Sequence, residues 1–140
     1  MKFVDKQLAL KLKEKGFDKP CFNAYNAHGC QYLNGWCEYL DERDTDFIYL
    51  SDLHDKDCLC PTVDQVLEWL REDKKIHISI DALASMNKNF MCKQDNHLIF
   101  AVRVSYFKEE IFNYYDLDEP YFKYEDACIA GIEYVVEHLI

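Results

Sequence analysis

The chain has 140 residues, of which 49% are hydrophobic and 30% charged, with only four glycines and three prolines; this excludes a disordered or collagen-like polymer and suits a single domain over 1–140 with a buried core. Sixteen Lys and Arg against 26 Asp and Glu leave a net charge of −10, which repels phosphate backbones and anionic bilayers and argues against nucleic-acid and membrane partners. Lysines interrupt the N-terminal apolar positions, no run approaches the roughly 18 apolar residues of a membrane span, and seven cysteines in a chain without an export signal point to reduced thiols in a cytoplasm.

Asp5 as N-cap and Gly16 as a left-handed terminator bracket a short first helix whose Leu8, Ala9 and Leu12 share one face, and Phe17 is expected to fold back onto it. Cys21 to Tyr25 and Cys30 to Leu33 read as two short strands, with Asn26, Ala27, His28 and Gly29 as the turn between them. From Gly35 to Cys60 the chain is acidic and has one short apolar run, Phe47 to Leu50, so irregular structure with at most one strand is predicted.

Pro61 to Lys75 carries the clearest local signal. Thr62 and Gln65 have the spacing of a reciprocal capping box, Val63, Val66, Leu67 and Leu70 form one apolar stripe, and Asp64, Lys74 and Lys75 complement the helix dipole. Ile76, Ile78 and Ile80 then alternate with His77, Ser79 and Asp81, the period of a strand with one buried face.

A longer alternation follows at Leu98, Phe100, Val102, Val104 and Tyr106, whose opposite face turns polar at Arg103 and Ser105. Asp95 and Asn96 suit a tight turn that would make Lys88 to Cys92 its hairpin partner. Ile111 to Tyr115 reads as a further strand ended by Asp116 to Pro120. The final helix, from about Glu125 to Leu139, aligns Cys128, Ile132, Val135, Val136 and Leu139, and Gly131 within it predicts a close approach to a neighbouring backbone.

Strands with one apolar face need helices on one side only. The expected fold is therefore α+β: a two-layer sandwich in which a mostly antiparallel sheet of about four to five strands carries two main helices on one face, with a short N-terminal helix besides. The aromatic-bearing face left open, or a sheet edge, would be free to pair with a second copy as a homodimer.

Three segments, LALKLKEKGFDKPCFNAYN, PTVDQVLEWLREDKK and YEDACIAGIEYVVEHLI, occur in this order and cover somewhat over a third of the chain. In them the sequence resembles a family of short uncharacterised proteins from phages and mobile elements of gut Bacteroidetes. The resemblance implies a genomic setting and no reaction, and it transfers no catalytic residue. One departure is Lys123, where such proteins tend to open the last helix with Ser or Thr; a lysine cannot accept first-turn N–H bonds.

The clustering most like a metal site is His28, Cys30 and Cys37 with His54, Cys58 and Cys60. The spacing lacks the Cys-x-x-Cys knuckle of structural zinc sites, so these residues read first as small semi-buried thiols and loop histidines. Cys60, just before the capped helix, is the best-placed thiol for nucleophilic work, although no family signature surrounds it. Asp41, Glu42, Asp44 and Asp46 sit in a solvated stretch with nothing apolar to raise a pKa, and no phosphate-binding or nucleophile-elbow motif is present. No cofactor and no enzymatic activity are expected.

The compositional excess is aromatic, with ten tyrosines. Tyrosine is amphipathic and enriched at interfaces. Trp36, Tyr39, Tyr114 and Tyr115 are the interface candidates, against the plainer reading that strands favour aromatics on their own account. The function expected is that of a non-enzymatic interaction protein, with an acidic DNA mimic and a small Cys/His metal-dependent enzyme as the alternatives.

Overall fold

The computed structural model describes residues 2–28, 31–32, 47–84 and 98–140. Its fold is α+β, with helices α1 (Lys6–Glu14), α2 (Val63–Asp73) and α3 (Tyr124–His138). The strands are β1 (Asn23–Tyr25), β2 (Gln31–Tyr32), β3 (Cys58–Cys60), β4 (His77–Ala84), β5 (Leu98–Lys108) and β6 (Ile111–Asp116). Among the described residues the strands form two antiparallel sheets of three strands each, ordered β2-β1-β3 and β4-β5-β6, where the sequence predicts one sheet of about four to five. The chain divides into two compact units, Met1–Trp69 and Leu70–Ile140, with the boundary inside α2. No helix among the described residues is long and apolar enough to cross a membrane.

In the first unit, local sequence signals set the ends of α1. The Asp5 carboxylate accepts from the Leu8 N–H at 2.8 Å, which satisfies one orphan donor of the first turn. At the other end Gly16 takes φ 89°. The Gly16 N–H donates to the Lys13 carbonyl at 3.0 Å and the Phe17 N–H to the Leu12 carbonyl at 2.9 Å, the paired closure of a Schellman motif. Leu8, Ala9 and Leu12 are buried as the sequence predicts, and Phe17 meets Trp69 edge to face at 5.3 Å between ring centres.

The predicted hairpin is present as β1 and β2, with Ala24 opposite Tyr32 and a turn in which the Asn26 side chain accepts from the His28 N–H at 2.9 Å. Cys21 lies outside β1 and forms an isolated bridge with Ile48, the one extended pairing within Phe47 to Leu50. The third strand, β3, lies at the end of the stretch for which at most one strand is predicted, beyond its apolar run at Phe47 to Leu50, and pairs Cys60 with Asn23 and Cys58 with Tyr25. All three of its residues are buried. Three residues are too few for an alternation to be visible in sequence.

The capping box of α2 is formed in both directions. The Gln65 N–H donates to Thr62 Oγ1 at 3.2 Å and the Thr62 N–H to Gln65 Oε1 at 2.9 Å. Val63, Val66 and Leu70 are buried and Leu67 is half-buried, while Trp69, outside the predicted stripe, is buried as well. The helix closes through Lys75 at φ 58°, with the Ile76 N–H on the Leu70 carbonyl at 2.9 Å.

In the second unit, Ile78 pairs with Val104 and Ile80 with Val102, so the predicted apolar faces of β4 and β5 coincide. Helix α3 lies on that face. A Cβ at Gly131 would come within 2.7 Å of Ile78 Cγ2 and 3.1 Å of Val102 Cγ1, so glycine here permits the close approach of helix to sheet. Ala127, Cys128, Ile132, Val135 and Val136 are buried on α3, and Lys123, its N-cap, makes no side-chain capping bond. Both flanks of β5 are taken, by β4 and by β6; Lys88 to Cys92 lies outside the described residues.

Candidate functional site

Two groups of residues bear on function, one in each unit. The first is the thiol cluster. Cys58 and Cys60 project to the same side of β3, and both are fully buried, as is Cys21. The Cys60 thiol donates to the Val4 carbonyl at 3.7 Å, and the same oxygen accepts from the Tyr25 hydroxyl at 2.8 Å. Burial, and then the neighbouring Cys60, pushes the Cys21 thiol up to about 12. Burial likewise raises Cys58 against the opposing pull of Lys13 and Lys6. Burial, followed by its hydrogen bond with Cys60, raises the Tyr25 phenol. A nucleophilic or metal-binding thiol needs a lowered pKa and access, so Cys21 and Cys58 have the setting of packed side chains.

His54 stands exposed in the turn before β3, where its carbonyl accepts from the Asp57 N–H at 2.9 Å. Lys13 Nζ holds that turn by donating to the Asp55 carbonyl at 2.6 Å and the Asp57 carbonyl at 2.8 Å. Among the described residues no group of three or more His, Cys, Asp or Glu could hold a metal ion, so His54, Cys58 and Cys60 are not brought together as ligands. His28 is exposed; Cys30, Cys37 and the acidic stretch 41–46 lie outside the described residues.

The second group is the β5–β6 hairpin. The residues of β5 and β6 opposite the α3 side carry a polar pair and several rings. Arg103 donates through Nε and Nη2 to both Asp116 oxygens at 2.6 and 3.0 Å, and its guanidinium lies 4.2 Å from the Tyr114 ring centre. The two hydrogen bonds hold the Asp116 carboxyl below the usual carboxylate range. Further along the same face Phe107 meets Phe112 edge to face at 5.6 Å. On the α3 side Tyr115 stacks on Tyr134 at 4.6 Å, and Tyr134 rests on His138 at 4.7 Å. Beside this ladder, Tyr106, Lys108, Tyr134 and His138 line an open groove of about 400 Å³.

Phe107 and Ile111 are each 64% exposed, Phe112 58% and Tyr114 57%. With ~200 Å² for a whole aromatic side chain, the exposed parts of Phe107, Phe112 and Tyr114, which share the face opposite α3, amount to on the order of 350 Å², within the range of the largest patch an ordinary monomer shows; Ile111 is exposed on the other face. Of the sequence-predicted interface residues, Tyr114 therefore stands in an exposed patch and Tyr115 is held partly by Tyr134. Trp36 and Tyr39 lie outside the described residues. Sequence reasoning missed Phe107, Ile111 and Phe112, although the unbroken apolar run Ile111-Phe112 beside an alternating strand was a readable signal.

Comparison with known proteins found no match: no family model, no curated protein and no solved structure matches the chain.

Proposed function

We propose that this chain is a non-enzymatic accessory protein of a phage or mobile element that acts in the host cytoplasm by binding another protein, with the β5–β6 hairpin as its contact surface. The observation that carries the reading is the concentration of Phe107, Phe112 and Tyr114, each more than half exposed, on one face of one hairpin. The scaffold proposed for this role is a two-layer arrangement within 70–140, with α3 on one face of the sheet and the aromatic patch on the other. Rings of this kind lose little side-chain entropy when they are covered, which suits them to anchor an interface. The resemblance of three sequence segments to a phage-borne family supports the setting.

The test is affinity purification from the native host with the parent chain and with a variant carrying Phe107→Ser, Phe112→Ser and Tyr114→Ser. The proteins recovered with the parent should fall by about tenfold or more, equivalent to ~1.4 kcal/mol, while the variant melts as the parent does. Equal recovery by the two chains would overturn the reading.

A further inference from the structure

Among the described residues, strand β6 is a sheet edge without the usual protection. Natural edge strands are blunted by lysine, proline or a bulge. Ile111–Asp116 contains neither residue and pairs with β5 in unbroken register. Its apolar residues also lie on both sides, Ile111 and Tyr115 toward α3 and Phe112 and Tyr114 away from it.

The main chain is open in the same place. Leu117 donates to the Val102 carbonyl at 3.0 Å, and in an antiparallel ladder bonded pairs alternate. Tyr115, Asn113 and Ile111 are therefore the residues bonded to β5. The N–H and C=O groups of Phe112, Tyr114 and Asp116 point outward, and no described residue pairs with them.

The charges around this edge say what kind of strand fits. Glu109 and Glu110 stand exposed at the hairpin turn, and Asp118 and Glu119 stand exposed beyond the other end. Asp116 already has Arg103, and among the described residues no ion pair is formed by Glu109, Glu110, Asp118 or Glu119. A second copy pairing antiparallel about Tyr114 would bring the turn acids of one chain against Asp118 and Glu119 of the other. The net charge of −10 on each chain adds to that repulsion.

We propose that β6 receives an added strand, and that the strand is an extended segment of another protein, apolar in its middle and carrying Lys or Arg at both ends. This rests on reading the chain as an interaction protein and names the chemistry of its partner. The main chain of the edge supplies the pairing, the apolar residues on both faces hold the middle of the added strand, and the acids at both ends select its flanks.

The experiment is fluorescence anisotropy of the full chain with a labelled peptide of core Thr-Val-Tyr-Val-Thr-Ile flanked by paired lysines, and with the same core flanked by paired glutamates. The lysine-flanked peptide should bind about tenfold or more tighter, and its affinity should fall as salt is raised. Tyr114→Pro removes an outward N–H without touching the bonds to β5 and should abolish the binding. Glu109→Lys with Glu110→Lys, which does not depend on a proline being tolerated, should shift the preference toward the glutamate-flanked peptide. Equal affinity for the two peptides, binding of neither, or indifference to both variants overturns the proposal. So does a peptide-free dimer in sedimentation velocity that Tyr114→Pro dissolves, because it gives the edge to a second copy. If the proposal fails in any of these ways while the triple serine variant still loses its host proteins, the interaction surface stands and only strand addition is removed.

Discussion

The units 1–69 and 70–140 use aromatic residues in opposite ways. In the first, Phe17 and Trp69 are each 2% exposed and pack edge to face, and polar side chains tie down loops, as Lys13 does on the Asp55 and Asp57 carbonyls. Only Phe47 and Tyr49 stand out among its described rings, at 36% and 39% exposure. In the second unit aliphatic side chains and Gly131 form the contact between α3 and the sheet, while Phe107, Phe112, Tyr114, Phe122 and Tyr124 are about half exposed or more. The same residue class thus stabilises one region and is left available in the other, and the difference lies in which face of an element each ring occupies.

The comparison breaks most visibly if the two kinds of ring have equal effects on stability. Trp69→Ala should cost about 3–5 kcal/mol, and Phe112→Ala no more than about 0.5 kcal/mol, read as urea midpoints on the same preparation. Next in size is Gly131→Ala. A new methyl against Ile78 costs about 1–3 kcal/mol and the gain in helix propensity returns about 1 kcal/mol. The net should be a loss of about 1 kcal/mol in thermal melts, reduced by a second change, Ile78→Leu, that removes the Cγ2 methyl in contact.

The hairpin turn gives an effect of opposite sign. Glu109 at φ 51° and Glu110 at φ 66° hold a two-residue turn that ordinarily takes Asn-Gly. Glu109→Asn with Glu110→Gly should stabilise the second unit by about 1 kcal/mol, measured by chemical denaturation; no gain would mean the turn is not strained. The smallest effect is that of Asp116. Its folded pKa is depressed by Arg103, so its contribution is present above the unfolded carboxylate pKa and is lost as pH falls through the lower folded value. Its NMR titration midpoint should lie below that of an ordinary aspartate and move up in Arg103→Gln.

Much of the fold was legible because single side chains announce local events. Asp5, Gly16, Thr62 and Gln65 mark helix ends through bonds to adjacent backbone, and Ile76 to Ile80 and Leu98 to Tyr106 mark strands by alternation. What sequence could not give was the partition of strands into two sheets, because β1 and β3 are three residues each and are brought together across more than thirty positions. The candidate surface was half legible: Tyr114 was singled out by residue type, but Phe107 and Phe112 become neighbours only through the register that sets them opposite each other.

Amide hydrogen exchange along β6 in dilute, partner-free protein addresses the open edge most directly. Strong protection at Asn113 and Tyr115 with rapid exchange at Phe112, Tyr114 and Asp116 is the expected alternation, since only the first set is bonded to β5. Uniform protection from Phe112 to Asp116 would mean that the edge is already covered, and would contradict the account.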